Sequence, residues 1–218
     1  MINNVIVACC DEEVKKIVVD NASAIFGEKK IQICKNYNDM YEKSKYAKDA
    51  AIICDKYFLG YLISYRLTGL KALNHGLVFY FVEIGECSRY LGLRLYGLGT
   101  NGFIPYIENQ EVWKKLNTVL QNGSRIFPEP ILESIKKRDC NLDERSVSEV
   151  TAKEMQVGMY LGMGKNQKEI GSITGFSQTA ISVYTHRLKR KIGYKNPKDY
   201  FLLNRQYFDN KIGGEVDN

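Results

Sequence analysis

Proline and tryptophan are scarce in this sequence, with four of the first and one of the second in 218 residues. Proline at that level excludes collagen-like and Pro-rich architectures. Histidine is limited to His75 and His186, so a zinc cluster or a His-based dyad has little to draw on. His75 stands alone and reads as a surface turn residue. The cysteines are Cys9, Cys10, Cys34, Cys54, Cys87 and Cys140. None are spaced as Cys-x-x-Cys, and most fall inside apolar runs, where a thiol packs as a small hydrophobe. That usage suits a reducing compartment. No run approaches the roughly 20 apolar residues of a membrane span. Residues 1–5 lack a basic stretch ahead of an apolar core, so no signal peptide is read. A glycine-rich phosphate loop and a nucleophile elbow are both missing, which argues against an enzyme. The expectation is a soluble cytoplasmic protein with no metal and no cofactor.

Acidic excess is absent too, and positive charge is placed unevenly. The formal net charge is +6. Residues 148–211 carry eleven Lys/Arg against five Asp/Glu, which leaves the remainder of the chain balanced. A neutral front and a basic back imply two domains, the second facing a polyanion.

The front alternates short apolar runs with helical patterns. Residues 4–9, 31–34, 50–55, 77–82 and 102–106 read as strands. Helices are expected over 11–25, 38–46 and 109–122, the last ending at Gly123, a plausible C-cap. Alternation of this kind implies βαβ units and a parallel sheet. The continuous apolar character of the third and fourth strands implies cover on both faces. The fold class is therefore α/β, a doubly wound five-stranded parallel sheet over 1–123. Sites in such a fold lie beyond the carboxyl ends of the strands. Residues 124–147 read as a polar linker with a short helix at 131–137, and 212–218 as a flexible tail.

Residues 148–211 read as an all-α four-helix unit. Thr151-Ala152-Lys153-Glu154 and Asn166-Gln167-Lys168-Glu169 are capping boxes. Gly175 permits a tight turn, Phe176 plugs the core, and Ser177 caps a third helix from Gln178 to about Ile192, stopped by Gly193. Pro197 starts a fourth, with Tyr200, Leu203 and Tyr207 on one face. Two short helices around a Gly turn, the second ending in a basic run, describe a helix-turn-helix. From His186 to Lys198 the basic residues are Arg187, Lys189, Arg190, Lys191, Lys195 and Lys198, with no acidic residue among them. Lys and Arg at this density suit phosphate contacts.

Residues 150–194 resemble the LuxR/GerE-type helix-turn-helix of bacterial transcription regulators. The matching pieces are Val150-Thr151-Ala152-Lys153-Glu154, Gly164-Lys165-Asn166-Gln167-Lys168-Glu169-Ile170, Gly175-Phe176-Ser177-Gln178-Thr179-Ala180-Ile181 and Arg190-Lys191-Ile192-Gly193. Departures fall at Ala180, Ser182 and Tyr184, where the family usually has Thr, Lys and His. The resemblance implies duplex DNA as partner. Ser182, Val183 and His186 would face the major groove, and Thr179, Tyr184, Arg187, Lys189 and Lys191 the backbone. Lys168, Ser177 and Arg190 join the same DNA-facing set. Dimers of such modules read two half-sites. A homodimer is expected, through the fourth helix or through a face around Tyr90, Leu93 and Tyr96.

The front half resembles a response-regulator receiver of flavodoxin-like topology. Asp55 closes the third strand, and Gly99-Thr100-Asn101-Gly102-Phe103-Ile104 matches the family's approach to its fifth. The family's phosphotransfer needs carboxylates for Mg²⁺, an acceptor Asp, a Lys and a hydroxyl. Only Asp55 is in place. The acidic-pair positions hold Cys9 and Cys10, the hydroxyl position falls near Val82–Ile84, and the Lys position falls on Pro105-Tyr106. The resemblance thus implies an atypical receiver. Its Asp55 either accepts a phosphoryl group or caps the next turn. Cys9, Cys10 and Cys54 near the same pocket leave a redox or small-ligand sensor open. The function expected is a dimeric DNA-binding transcription regulator independent of phosphorylation. The alternative is an auxiliary subunit that forms a heterodimer with a typical response regulator.

Overall fold

A computed structural model describes residues 2–137 and 148–212, with side chains of the last helix described through Arg205. The elements of the first half are β1 (Asn4–Ala8), α1 (Glu12–Phe26), β2 (Ile31–Ile33), α2 (Tyr37–Tyr46), β3 (Ala50–Asp55), α3 (Ile63–Leu73), β4 (Val78–Val82), α4 (Arg89–Gly97), β5 (Gly102–Ile104), α5 (Gln110–Asn122) and α6 (Glu129–Lys136). The strands form one parallel sheet in the order β2-β1-β3-β4-β5. This is the doubly wound α/β architecture expected from the alternating runs.

Successive side chains of a strand point to opposite faces, and the core divides accordingly. Val5, Val7, Ala51, Ile53, Tyr80, Val82 and Ile104 pack under α1 and α5, against Val14, Val18, Trp113 and Leu116. Ile6, Ala8, Ile52, Cys54, Phe79, Phe81 and Phe103 pack on the other face, against Met40, Leu67 and Leu95. All six residues of β3 are buried, because the central strand has no solvent face. β5 is shorter than its apolar run suggested. Tyr106 adopts a φ of 56°, which ends the extended backbone just after Pro105.

The first half of the segment read as a linker packs onto the sheet domain. Ile126 bridges Gly102, and Phe127 and Ile131 are buried. A Cβ on Gly92 would lie 2.1 Å from Ile131 Cδ1, so only glycine lets α6 approach α4 this closely. The charged half of that segment, 138–147, lies outside the described residues.

The second half holds α7 (Ala152–Gly162), α8 (Gln167–Thr174), α9 (Gln178–Ile192) and α10 (Lys198–Ile212). Both capping boxes close, Thr151 with Glu154 and Asn166 with Glu169. Gly175 sits in the left-handed region at φ 73°, which makes the turn between α8 and α9. Val157, Ile170 and Ile181 form a small core, joined by Phe176 and Tyr184. α10 starts one residue after Pro197. The buried carboxylate of Asp199 accepts the backbone N–H groups of Lys195 and Asn196. Tyr200 and Leu203 are buried as expected, whereas the Tyr207 side chain lies outside the described residues. The apolar layer on the α2–α4 face of the sheet runs on into Leu188, Ile192, Tyr200, Leu202 and Leu203, so the two halves share one core.

No helix among the described residues is long and apolar enough to cross a membrane.

Candidate nucleic-acid interface and its anchorage

α9 presents an open face. Ser177 caps it, its Oγ accepting the Ala180 N–H at 3.2 Å. Thr179, Ser182, Val183 and His186 are exposed, and their spacing puts them on one side of the helix. Val183 is 40% exposed although apolar, so it contributes nothing to the core. Lys168 is exposed in the first turn of α8. The four α9 residues form one exposed face.

The other basic and aromatic residues expected there have different duties. Tyr184 sets its ring against Phe176 at 5.5 Å and is half-buried, so it belongs to the small core. Lys189 places its ammonium 4.4 Å from the Tyr194 ring centre. Arg190 stacks at 4.7 Å over Tyr90 and donates to its hydroxyl at 3.0 Å. Lys191 departs furthest from expectation. Its side chain is 2% exposed and lies 2.8 Å from the equally buried Glu154 carboxylate, and it donates to the Glu149 carbonyl at 2.7 Å. It is an interior cation and leaves the DNA-facing set. Lys195 and Lys198 turn toward the sheet domain. Arg187 remains half-buried on α9 with no ion pair among the described residues.

At the carboxyl ends of the strands, Asp55 is 1% exposed. Its Oδ2 accepts the N–H groups of Cys10 and Asp11, and its Oδ1 those of Tyr57 and Phe58. The carboxylate thus caps the turns after β1 and β3. Burial pushes its pKa up to about 6, against the pull of these four N–H donors. Cys9 and Cys54 are buried, and burial first, then the neighbouring Asp55, raises both thiols well above their ordinary range. Neither has the exposed, thiolate-favouring surroundings of a reactive cysteine. Among the described residues no group of His, Cys, Asp and Glu is arranged to hold a metal ion.

The residue after Asp55 was not singled out by sequence reasoning. Lys56 is 3% exposed and lies 2.9 Å from Glu83, which stands on the loop after β4, and 3.5 Å from Asp199 of the second half. Its Nζ also donates at 2.7 Å to the carbonyl of Gly193, the residue that stops α9. The Tyr57 hydroxyl donates to Asp199, and that of Tyr61 to Asn204 at 3.1 Å. Lys195 lies 3.2 Å from Glu83 and donates to the Ile84 carbonyl at 2.9 Å. Lys198 pairs with Asp11 at 2.6 Å. A cleft of about 260 Å³ lies among these groups. The docked half therefore plugs the strand ends with its own lysines. Tyr90, expected on a dimer face, is committed to Arg190 within the chain, and Tyr96 packs on Phe127 at 5.2 Å.

No family model matches the sequence. It is 26% identical over 117 residues to the Fimbriae Z protein of Escherichia coli (strain K12), covering 53% of this chain and 54% of the relative. It is 24% identical over 103 residues to the nitrate/nitrite response regulator protein NarP of the same strain, covering 47% and 48%. The chain spans about half the length of the curated relatives it matches. A solved RcsB response regulator from Salmonella typhimurium superposes with a TM-score of 0.48 at 20% identity, over 95% of this chain and 100% of that one. An RcsB–DNA complex gives 0.48 at 16% identity, over 94% and 99%.

Proposed function

We propose that this chain is a sequence-specific duplex-DNA-binding transcription regulator that works as a cytoplasmic homodimer without phosphorylation at Asp55. The observation that carries the reading is the open face of α9, with Thr179, Ser182, Val183 and His186 exposed on a capped helix behind a tight Gly turn. The position of the excess positive charge agrees, as does the partial similarity to a nitrate/nitrite response regulator. Base-edge contacts from Ser182, Val183 and His186 would supply specificity, while Lys168, Thr179 and Arg187 would hold phosphates.

Independence from phosphorylation rests on Asp55. Both its oxygens are filled by backbone N–H groups, and a nucleophilic oxygen would have to break two of those bonds. The acidic-pair positions hold Cys9 and Cys10, and the nearby carboxylates of Glu83 and Asp11 are paired with Lys195 and Lys198.

A second reading, an auxiliary subunit that pairs with a typical response regulator, draws on the small Ser182 and Val183 side chains, which read base edges weakly. Duplexes selected from a random-sequence library by the pure chain separate the two. The expected result is tight binding alone, unchanged by acetyl phosphate, with Arg187→Ala reducing the salt slope by about one. Failure of the pure chain to select any sequence would favour the auxiliary role. Acetyl-phosphate labelling abolished by Asp55→Ala would overturn the claim about phosphorylation.

A further inference from the structure

We infer that Lys56 is a positioning residue for α9, through which the sheet domain sets the angle at which the reading helix is presented; this rests on the DNA-binding reading above. Lys56 is fixed at its base and at its tip. Its backbone follows Asp55, whose four accepted N–H bonds hold the turn rigid. Its Nζ donates to the Gly193 carbonyl at 2.7 Å and stands between two carboxylates, 2.9 Å from Glu83 and 3.5 Å from Asp199. One hydrogen bond and two opposite charges therefore fix the ammonium.

The Gly193 carbonyl lies at the negative end of α9. A cation there complements the helix dipole and satisfies a terminal carbonyl. Helices ordinarily draw such a cation from their own last turn. Here a residue 137 positions earlier provides it, so the helix cap is also the joint between the two halves. Gly193 stands at φ 61°, and a Cβ on it would meet Ser88 Cβ at 2.8 Å. The same contact therefore brings the end of α9 against the start of α4. Arg190 over Tyr90 adds a second fixed point on α4.

The far end of α9 is untouched by this joint. Its exposed residues, Thr179 to His186, lie about two to four turns from Gly193, so docking orients the reading face without covering it. A buried ion pair contributes little net stability, but it penalises wrong arrangements. If Lys56 moved away, Glu83 and Asp199 would face one another. Neither carboxylate oxygen of Glu83 accepts a hydrogen bond among the described residues, so its charge is met only by the ammonium groups of Lys56 and Lys195. A rigid joint matters most when two reading helices must span two half-sites at once.

The test uses the full chain and a duplex selected from a random-sequence library, alongside the same duplex with one half-site scrambled. In Lys56→Met, affinity for the two-half-site duplex should fall about tenfold, while affinity for the single half-site stays within about twofold. The radius of gyration in solution should rise. Asp199→Asn keeps an oxygen for the Lys195 and Asn196 N–H groups but loses the charge facing Lys56. It should behave alike, and it carries the test if Lys56→Met does not fold. Equal losses on both duplexes would mean a merely structural role and overturn the inference. Unchanged binding, or a selected sequence without paired half-sites, would do so too. Arg187→Ala should weaken both duplexes alike, and if it weakens neither, the DNA-binding reading itself fails.

Discussion

The ammonium of Lys191 sits 2.8 Å from the carboxylate of Glu154, both side chains 2% exposed. One end of this pair belongs to a basic run that reads as surface, and the other to a capping box. Removing one partner of a buried pair strands the other, at a cost of about 3–5 kcal/mol. Lys191→Met is therefore expected to destabilise the chain by about that much, measured by urea unfolding. A double change with Glu154→Leu should recover part of the loss and no more, because Glu154 also accepts the Thr151 N–H. A loss under about 1 kcal/mol, in the range of an exposed ion pair, would return Lys191 to the surface set.

Asp55 makes stability depend on pH in a defined direction. Its folded pKa is pushed up from 3.8 to about 6, so the folded state holds this proton more tightly than the unfolded chain. The contribution is fully present below pH 3.8 and is lost as pH rises through about 6. At about 1.4 kcal/mol per unit, the change is on the order of 3 kcal/mol. The difference in urea midpoint between the wild-type chain and Asp55→Asn should shift across that window and be flat above it. A flat difference throughout would show that the four N–H donors cancel the effect of burial.

Gly158 shows how tightly the two halves meet. A Cβ there would lie 2.6 Å from Leu188 Cδ2 and 2.8 Å from the Tyr61 hydroxyl. Ala is the better helix former by about 1 kcal/mol, yet Gly158→Ala is expected to destabilise, because overpacking of this kind costs about 1–3 kcal/mol. Thermal unfolding measures it, and a raised melting temperature would contradict the close packing of α7 against Tyr61.

Thiol chemistry provides a further check. Cys9 and Cys54 are 2% and 1% exposed, with raised thiol pKa values. Iodoacetamide at pH 8 on the folded chain should leave both unmodified by mass spectrometry, and urea should open them. Fast labelling of either in the folded state would revive a redox role.

Much of this was legible because it is local. The two capping boxes span four residues each, the Gly175 turn is one residue, and the strands are continuous apolar runs. Helices α3 and α4 left weaker traces. Tyr65 and Leu62 are exposed among apolar neighbours there, which blurs the one-sided stripe that marks an amphipathic helix. The burial of Lys191 had a signal, since it shares the stripe of Ile181, Leu188 and Ile192. The basic run around it argued the other way. The joint between the halves had none, because its partners lie more than a hundred residues apart and depend on the fold already being formed.

The apolar layer that runs from the sheet into Leu188, Ile192, Leu202 and Leu203 bears on how such a chain can be rebuilt. A fragment holding only the last four helices would carry those side chains bare into water and tend to clump. A swap that put the same helices behind a foreign front half would inherit the problem, with no lysine to meet Gly193. The helical unit is thus not a detachable cassette. A lineage that changed its front half would have had to change the back of α9 in step.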